Sequence, residues 1–340
     1  MKGVGISMIE NWLQQSPKID LHCHLDGSLS IPVVEYLLKD LGIVIEDDLE
    51  KRLRVAPDCT SLTEYLTKFD LPIQCLQTEK GLTLAAYDLL KNAANENVTY
   101  LELRFAPMFH LQRGLKLYQV LEAVISGIKK AKEDFSIDSS IIVCGLRHFS
   151  AEQNIEMLKV ACEYREESVC ALDLAGDESS YPTHLQRELF AQAIKWRMPF
   201  TIHAGECGSV EEVREAVHLG AKRIGHGIAL IKDQNLLNSC RQKRIGIEVC
   251  PTSNFQTKAA SSWADYPLKA FMEHGLLVTV NTDNRMVSGI TSTGELDNVY
   301  HELSLEKENI CKFFNNAIEI SFANDNIKDR LLKEMERSFC

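Results

Sequence analysis

The chain has 340 residues, of which 45% are hydrophobic and 25% are charged, the composition of an ordinary globular protein with a sizeable core. Its formal net charge of −11 argues against a nucleic-acid partner, because proteins that bind phosphate backbones carry a basic face. The sequence has no run of about 18 apolar residues, so no membrane-spanning helix is predicted.

The cysteines and the first residues bear on the cellular compartment of the protein. The 11 cysteines are scattered and odd in number, and none forms a CxxC pair, so a disulfide framework and a thiolate zinc site are both disfavoured. Residues 1–16 lack the basic end and apolar core of a secretory signal. We therefore expect reduced thiols in a cytoplasmic protein.

The predicted elements indicate one domain that spans residues 1–340, because no internal repeat, low-complexity tract or flexible linker interrupts the chain. Eight short apolar strands alternate with longer helical segments. The strands are predicted at 18–24, 98–106, 140–148, 169–175, 198–204, 223–226, 244–250 and 276–283.

Strand–helix alternation favours parallel strands, and eight such units are the number that closes a (β/α)₈ barrel. An open doubly wound sheet is the alternative, but no G-x-G-x-x-G follows the first strand. We expect an α/β fold, a single (β/α)₈ TIM barrel. Residues 28–97 form an insertion after the first strand, and residues 293–340 are expected to add helices on the outside.

The first predicted strand, residues 18–24, alternates apolar and polar side chains, as a strand does. His22 and His24 are two residues apart, so both imidazoles point to the same face. Such a pair can supply two ligands of a tetrahedral zinc ion. Isolated HxH pairs also occur in many proteins that bind no metal, so the other ligands must come from elsewhere.

The insertion contains a helical stripe of apolar residues with spacing i, i+3, i+4, i+7. Its members are Leu62, Tyr65, Leu66 and Phe69. Core packing is the ordinary role of such a stripe. Because it follows the end of the first strand, it could also form an apolar lid over a site there.

A helix is predicted after Gly208. Ser209 and Glu212 match the S-x-x-E capping box, in which each side chain bonds to the other's backbone N–H, and Gly220 can end the helix.

Polar and metal-capable residues recur at the carboxyl ends of the predicted strands, where a barrel places its active site. They are His22, His24, Arg104, Arg147, His148, Asp173, Gly176, His203, Glu206, His226, Ser253, Asn254, Asp283 and Asn284. Random surface polarity would not select that end repeatedly, so this pattern favours an enzyme.

Two of these residues extend the histidine pair into a candidate metal site. His203 is a third possible nitrogen ligand, and Asp283 closes an apolar strand with a carboxylate, a natural fourth ligand. Three histidines and one aspartate leave room for a water, as in hydrolytic metal sites. Glu206 follows His203 in the loop, where a proton donor near the metal is needed. His226 lies in a short strand flanked by glycine, where packing does not require a histidine.

The motifs, taken together, resemble those of the adenosine deaminase family of the amidohydrolase superfamily. They are PKIDLHCHLDGS at 17–28, LTEYLTKFDLP at 62–72, HAGE at 203–206, GHG at 225–227 and TDN at 282–284. Their order and spacing match from about residue 12 to about residue 335. The resemblance implies a (β/α)₈ barrel, in agreement with the strand count.

The resemblance also implies one zinc ion per chain, held by His22, His24, His203 and Asp283. Glu206 would protonate N1 of the purine while water adds at C6, and ammonia would then leave. His226 would orient the water, and Asp283 would help to take its proton. The fourth strand carries no Lys, whereas two-metal relatives in the superfamily usually place a carboxylated Lys there, so one metal is expected.

The implied substrate is a small purine nucleoside. Asp26 would contact the ribose hydroxyls, and Gly176 would offer its backbone N–H to N3. Tyr65, Leu66 and Phe69 would close the lid. The best-known members carry a second Asp after the metal ligand, facing N7, whereas this chain has Asn284. An Asn amide donates to neutral N7 at any pH, so the change is compatible with a purine.

The resemblance thus implies zinc-dependent deamination of adenosine and 2′-deoxyadenosine to inosine and 2′-deoxyinosine, a reaction of purine salvage. An alternative is deamination of another 6-aminopurine, such as adenine or a modified adenosine. Adenine-acting relatives tend to carry Glu at the position of Asp26, which favours a nucleoside. A nucleotide would call for a basic cluster near the site, and none follows His24 or Asp26. A third interpretation, a barrel without activity, is disfavoured because every ligand and acid position is intact.

Overall fold

The computed structural model of the protein describes residues 11–339. The expectation that residues 1–16 form no secretory signal falls mostly on residues outside this range. The described chain alternates β-strands and helices. The strands are β1 (Lys18–His24), β2 (Val98–Phe105), β3 (Asp138–Leu146), β4 (Val169–Ala175), β5 (Thr201–Ala204), β6 (Arg223–His226), β7 (Gly246–Val249) and β8 (Leu277–Val280).

The strands form two four-stranded sheets, in the order β1-β2-β3-β4 and β5-β6-β7-β8, and every neighbouring pair is parallel. Backbone contacts also join β4 to the segment before β5, and β1 to the segment after β8. Leu172 of β4 donates its N–H to the Pro199 carbonyl at 3.0 Å. At the other side, His24 donates to the Asp283 carbonyl at 2.7 Å. The predicted α/β architecture with eight parallel strands is confirmed.

Sixteen α-helices surround these strands within residues 11–339. Those before β2 are α1 (Asn11–Gln15), α2 (Ile31–Asp40), α3 (Leu49–Leu53), α4 (Leu62–Leu66), α5 (Asp70–Cys75) and α6 (Glu79–Ala94). Those between β2 and β6 are α7 (Leu117–Asp134), α8 (Ala151–Glu163), α9 (Arg187–Lys195) and α10 (Val210–Leu219). The last are α11 (Gln234–Gln242), α12 (Pro251–Gln256), α13 (Leu268–Glu273), α14 (Ser292–Glu302), α15 (Lys307–Ile320) and α16 (Asp325–Phe339).

The helices that connect successive strands bury their apolar faces against the sheets in one large core. The insertion after β1 therefore consists of α2 to α6, and α14 to α16 are the additional helices after β8. Leu331 of α16 packs against Ile19 and Tyr100 near the amino ends of β1 and β2. No helix among the described residues is long and apolar enough to cross a membrane.

The start of α10 corrects one local prediction. Ser209 does accept a hydrogen bond from the Glu212 N–H at 3.4 Å, but the Glu212 carboxylate does not return to Ser209. It accepts instead from the N–H and hydroxyl of Thr183, at 2.7 and 2.6 Å. Two donors from Thr183 outcompete the single N–H of the capping box. Gly220 ends the helix with φ of +96°, as predicted.

Five fully buried charged side chains form one ion-pair network between the strands. Arg223 contacts Glu102 and Glu248, both at 2.5 Å. Arg104 contacts Asp173 at 3.0 Å and the same Glu248 at 2.9 Å. Burial would raise the pKa of Glu248, but the charges of Arg104 and Arg223 hold that pKa well below its usual range. Because losing one partner would leave a buried charge uncompensated, this network fixes the strands relative to one another.

Candidate active site

The four predicted metal ligands converge at the carboxyl ends of β1, β5 and β8. The ligand atoms of His22, His24, His203 and Asp283 all lie within 4.8 Å of one another. The Nε2 atoms of His24 and His203 are 3.3 Å apart, and Asp283 Oδ1 lies 3.4 Å from His22 Nε2. His22 Nε2 is buried without a hydrogen-bond partner. Three imidazole nitrogens and a carboxylate at these separations fit a bound divalent metal, which would satisfy the unpartnered nitrogen.

Two of these histidines have a carboxylate at the opposite ring nitrogen. Glu248 Oε2 lies 2.8 Å from His22 Nδ1, and Asp173 Oδ2 lies 2.9 Å from His203 Nδ1. A carboxylate there favours the proton on Nδ1 and leaves Nε2 free for a metal. Asp173 was predicted from the sequence as a strand-end residue. Glu248, which lies inside β7, was not predicted.

Glu206 lies directly beyond β5, where Gly205 has φ of +80°. A Cβ at Gly205 would come within 2.6 Å of Val213, so only glycine fits this turn. Glu206 is buried, and burial raises its pKa to about 8. The carboxyl therefore keeps its proton at neutral pH, the state that a general acid needs.

A second glutamate, Glu178, holds the loop that carries Glu206. Its buried carboxylate accepts hydrogen bonds from the N–H groups of Gly205 at 2.6 Å and Cys207 at 2.9 Å. These two residues flank Glu206 in the chain. Glu178 was not predicted from the sequence, where its one signal is a carboxylate two residues after Gly176 in the loop beyond β4.

His226 ends β6 with φ of +61°, and Asp283 has φ of +58°. The Nε2 atom of His226 lies 3.5 Å from Glu206 Oε2, and its Nδ1 lies 3.0 Å from Asn254 Nδ2. Burial holds the pKa of His226 well below its ordinary value, so the imidazole is neutral. Glu206 and His226 therefore form a neutral pair beside the four candidate ligands.

A cavity of about 540 Å³ opens over this group, a size typical of small-molecule sites. Every predicted site residue except His22 lines it, and His22 lies fully buried among the ligands. The predicted residues among its lining are His24, Asp26, Tyr65, Leu66, Phe69, Gly176, His203, Glu206, His226, Asp283 and Asn284. None of the described residues around the cavity is a lysine or an arginine.

Arg147, another strand-end candidate, lies outside this lining. Its guanidinium donates to the carbonyl oxygen of His203 at 2.7 Å and to that of Tyr181 at 2.7 Å. Arg147 therefore holds the backbone of a candidate ligand and does not face the cavity.

The apolar stripe of the insertion both packs and faces the cavity. Tyr65 is buried with Val55, Cys59 and Val287, and its hydroxyl hydrogen-bonds to Ser288 Oγ at 2.6 Å. The ring of Phe69 lies 6.3 Å from that of Tyr65.

The polar wall of the cavity includes Asp26, Gly176 and Asn284. Burial raises the pKa of Asp26 to about 7. Gly176 has φ of +111°. The Oδ1 of Asn284 packs so closely on Gly27 that a Cβ there would lie 1.9 Å away, so Gly27 is required by the position of Asn284.

Comparison with known proteins gives a consistent result. The sequence model of the adenosine deaminase family matches residues 17–338. An adenosine deaminase of Enterococcus faecalis is 39% identical over 335 residues, covering 98% of this chain and 99% of that protein. An adenosine deaminase of Clostridium perfringens is 38% identical, covering 93% of this chain and 96% of that protein.

Solved structures show the same architecture. Adenine deaminase of Arthrobacter aurescens superposes with a TM-score of 0.87 at 26% identity, covering 95% of this chain and 98% of that one. The N6-methyl-AMP deaminase of Arabidopsis thaliana gives a TM-score of 0.86 at 26% identity, covering 96% and 98%. A zinc-bound amidohydrolase of a Burkholderia species, at 21% identity, gives a TM-score of 0.87 and covers 99% of this chain and 95% of that one; at that identity it shows the fold alone.

Proposed function

Because this chain belongs to the adenosine deaminase family, we propose that it hydrolyses adenosine and 2′-deoxyadenosine to inosine and 2′-deoxyinosine, releasing ammonia. The observation that carries the proposal is the buried Glu206 beside three histidines and an aspartate in one cavity. The fold expected of such an enzyme is a closed (β/α)₈ barrel. The backbone contacts that join β1 with the segment after β8, and β4 with the segment before β5, support closure.

The metal that we propose for the site is one zinc ion per chain, held by His22, His24, His203 and Asp283. When bound, zinc would supply a water nucleophile at neutral pH by lowering the pKa of that water. The donor set of three nitrogens and one carboxylate suits zinc. In the part of the chain that the structure describes, the other group of possible ligands contains Cys250, whose pKa burial raises well above its ordinary value, so this thiol is a poor ligand.

The chain's own residues would then move the protons. Glu206 would deliver its proton to N1 as water adds to C6, because an unprotonated N1 anion in a buried pocket would be costly. His226, 3.5 Å from Glu206, would orient the water. Asp283 would help to accept the proton that the water loses.

The remaining cavity residues would bind the nucleoside. Asp26 would contact the ribose, Gly176 would offer its N–H to N3, and the Asn284 amide would donate to N7. The stripe of Tyr65, Leu66 and Phe69 would close as an apolar lid.

The charge of the lining favours a nucleoside over a nucleotide. Asp26, Asp70 and Asp177 contribute carboxylates to a cavity whose described lining has no lysine or arginine to bind a phosphate. The alternative substrates are adenine and a modified adenosine. An absorbance assay with adenosine, 2′-deoxyadenosine, adenine and AMP separates these cases, and turnover of AMP comparable to that of adenosine would contradict the proposal.

The decisive variant is Glu206→Gln, which keeps the side-chain size but cannot transfer a proton. We expect it to retain zinc and to bind inosine, while kcat falls by at least about 10²-fold, the low end for a general acid. Steady-state kinetics and elemental analysis measure both quantities. His203→Ala should instead lower the zinc content.

The matched control is Glu211→Gln, since Glu211 is an exposed glutamate in α10 and its replacement should leave both kcat and zinc unchanged. Turnover by Glu206→Gln at the wild-type rate would mean that another group protonates N1. Loss of zinc from Glu206→Gln would make Glu206 a ligand.

A further inference from the structure

Asn254 has no role in the reaction as proposed, although its side chain is fully buried against the site. It lies in α12, directly after β7, and its Nδ2 is 3.0 Å from His226 Nδ1. On its other side, the hydroxyl of Tyr266 donates to Asn254 Oδ1 at 2.9 Å. A chain of three side chains therefore runs from Tyr266 to His226.

The hydroxyl of Tyr266 decides which way the Asn254 amide faces. Tyr266 is only 4% exposed, so its hydroxyl proton needs an acceptor within the protein. Asn254 Oδ1 is that acceptor, which leaves the amide nitrogen toward His226. An amide NH₂ only donates. His226 Nδ1 must therefore accept, and the proton of the neutral imidazole is on Nε2.

The partner at Nδ1 thus distinguishes His226 from two of the candidate ligands, His22 and His203. His22 and His203 have carboxylates there, which place the proton on Nδ1 and free Nε2 for a metal. His226 has an amide donor instead, so its Nε2 carries a proton and cannot coordinate. This difference explains how His226 can lie close to Asp283 without joining the ligand set.

We propose that Asn254, itself held by Tyr266, is a positioning residue that fixes His226 as the Nε2–H tautomer. The proposal rests on the proposed function, since the reaction gives the tautomer its purpose. An Nε2–H beside Glu206 can donate a hydrogen bond to the oxygen of the attacking water. It cannot accept a proton from that water. His226 is then a donor to the attacking water, and the proton of that water passes to a carboxylate.

The test replaces the donor by an acceptor. In Asn254→Asp the carboxylate can only accept, so it should draw the imidazole proton to Nδ1. Nitrogen-15 NMR of the zinc-loaded enzyme labelled at histidine reports which ring nitrogen is protonated, and His226→Gln assigns the signals. We expect wild-type His226 to be unprotonated at Nδ1 and protonated at Nε2. Asn254→Asp should be protonated at Nδ1.

Kinetics provide the second readout. We expect Asn254→Asp to lose at least about 10²-fold in kcat with little change in KM and unchanged zinc content. A merely structural role would instead lower the amount of folded protein and leave the turnover of that fraction unchanged. Asn235→Asp, which adds the same charge at an exposed position in α11, should behave as the wild type.

Tyr266→Phe covers the case in which Asn254→Asp fails to fold. It removes only the hydroxyl, while the ring remains packed between Phe255 and Trp263. The Asn254 amide is then free to turn, so both tautomers of His226 should appear and kcat should fall several-fold. A protonated Nδ1 in the wild type, or wild-type kcat in an Asn254→Asp enzyme with the proton moved, would overturn the proposal. If the wild type did not deaminate adenosine, the proposed function would fail, yet the NMR result would still decide the tautomer.

Discussion

Phe69 reaches the cavity from the insertion after β1 and is held less firmly there than Tyr65. It is half-buried and packs on the ring of Tyr65, whereas Tyr65 is buried and bonded to Ser288. Because Phe69 lines the cavity and is only half-buried, its loss should affect substrate binding more than the fold.

We expect Phe69→Ala to lower kcat/KM for adenosine by about 10-fold, because partial burial of a Phe side chain against a ligand is worth about 1–2 kcal/mol. Steady-state kinetics measure the change, and thermal unfolding shows that the protein remains folded. Unchanged kcat and KM would assign the stripe to core packing alone.

Phe135→Ala is the matched control for this experiment. Phe135 is also half-buried and packs on a tyrosine, Tyr87, with ring centroids 6.0 Å apart, but it does not line the cavity. Its replacement should lower stability without changing KM.

The strand-end residues of the site were predictable from the sequence, whereas the carboxylates that hydrogen-bond to them from other elements, such as Glu248, were not. The period of a strand predicts that His22 and His24 share a face, and the structure brings both into one group with His203. The contact of Glu248 with His22 joins residues 226 positions apart. No periodicity encodes such a pairing, because it depends on which strands become neighbours.

At the scale of elements, the loop between β5 and α10 depends on Glu178 for its shape. The carboxylate of Glu178 bonds to the N–H groups on both sides of Glu206. In Glu178→Gln one of these N–H groups faces an NH₂ group and loses its acceptor. We expect kcat to fall by about 10- to 10²-fold, as displacement of a reacting group by about 1 Å does, with KM and zinc content nearly unchanged.

Asp233→Asn is the control for Glu178. Asp233 also accepts a backbone N–H, that of Leu236 at the start of α11, and Asn serves equally well at such a position. If Glu178→Gln and Asp233→Asn both kept wild-type kcat, the carboxylate of Glu178 would not position the acid.

The positions of the eight strands followed from their apolar runs, but several of their ends did not. β5 was predicted from residue 198 and begins at Thr201, because Pro199 has no N–H for a ladder. β7 was predicted over 244–250 and spans Gly246–Val249, since Arg244 has φ of +53°. A left-handed backbone at a non-glycine residue depends on surrounding contacts that composition does not report.

At the scale of the whole molecule, burial of carboxyl groups links folding to pH. Glu295 of α14 accepts a hydrogen bond from the Thr252 N–H at 2.7 Å, which ties α14 to α12. Burial raises the pKa of Glu295 from 4.5 to about 7. Between these values the unfolded chain has lost this proton while the folded chain keeps it, so Glu295 makes stability fall as pH rises through this window.

We expect Glu295→Gln to remove this contribution, since its amide is neutral at every pH and can still pair with Thr252. The loss of unfolding free energy between pH 5 and pH 8 should be smaller in the variant than in the wild type, by at most about 3 kcal/mol. Urea unfolding at the two pH values measures it.

Glu302→Gln, an exposed position in the same helix, is the control and should keep the wild-type dependence. Equal pH dependence in Glu295→Gln and the wild type would show that Glu295 is ionised in the folded protein. Composition and charge could not predict such a group, because the shift depends on burial of one carboxyl in a contact between two helices.

The left-handed backbone at His226 and Asp283 also stores conformational strain at the candidate site. Each costs on the order of 1–2 kcal/mol that a glycine would not, and both lie where the side chain is needed. Glycine would relieve this strain, but it would also delete a buried side chain, and the cavity left behind would cost more than the strain. Laboratory evolution of this protein for thermal tolerance should therefore leave these two positions unchanged and look for stabilising changes elsewhere, with turnover measured alongside stability.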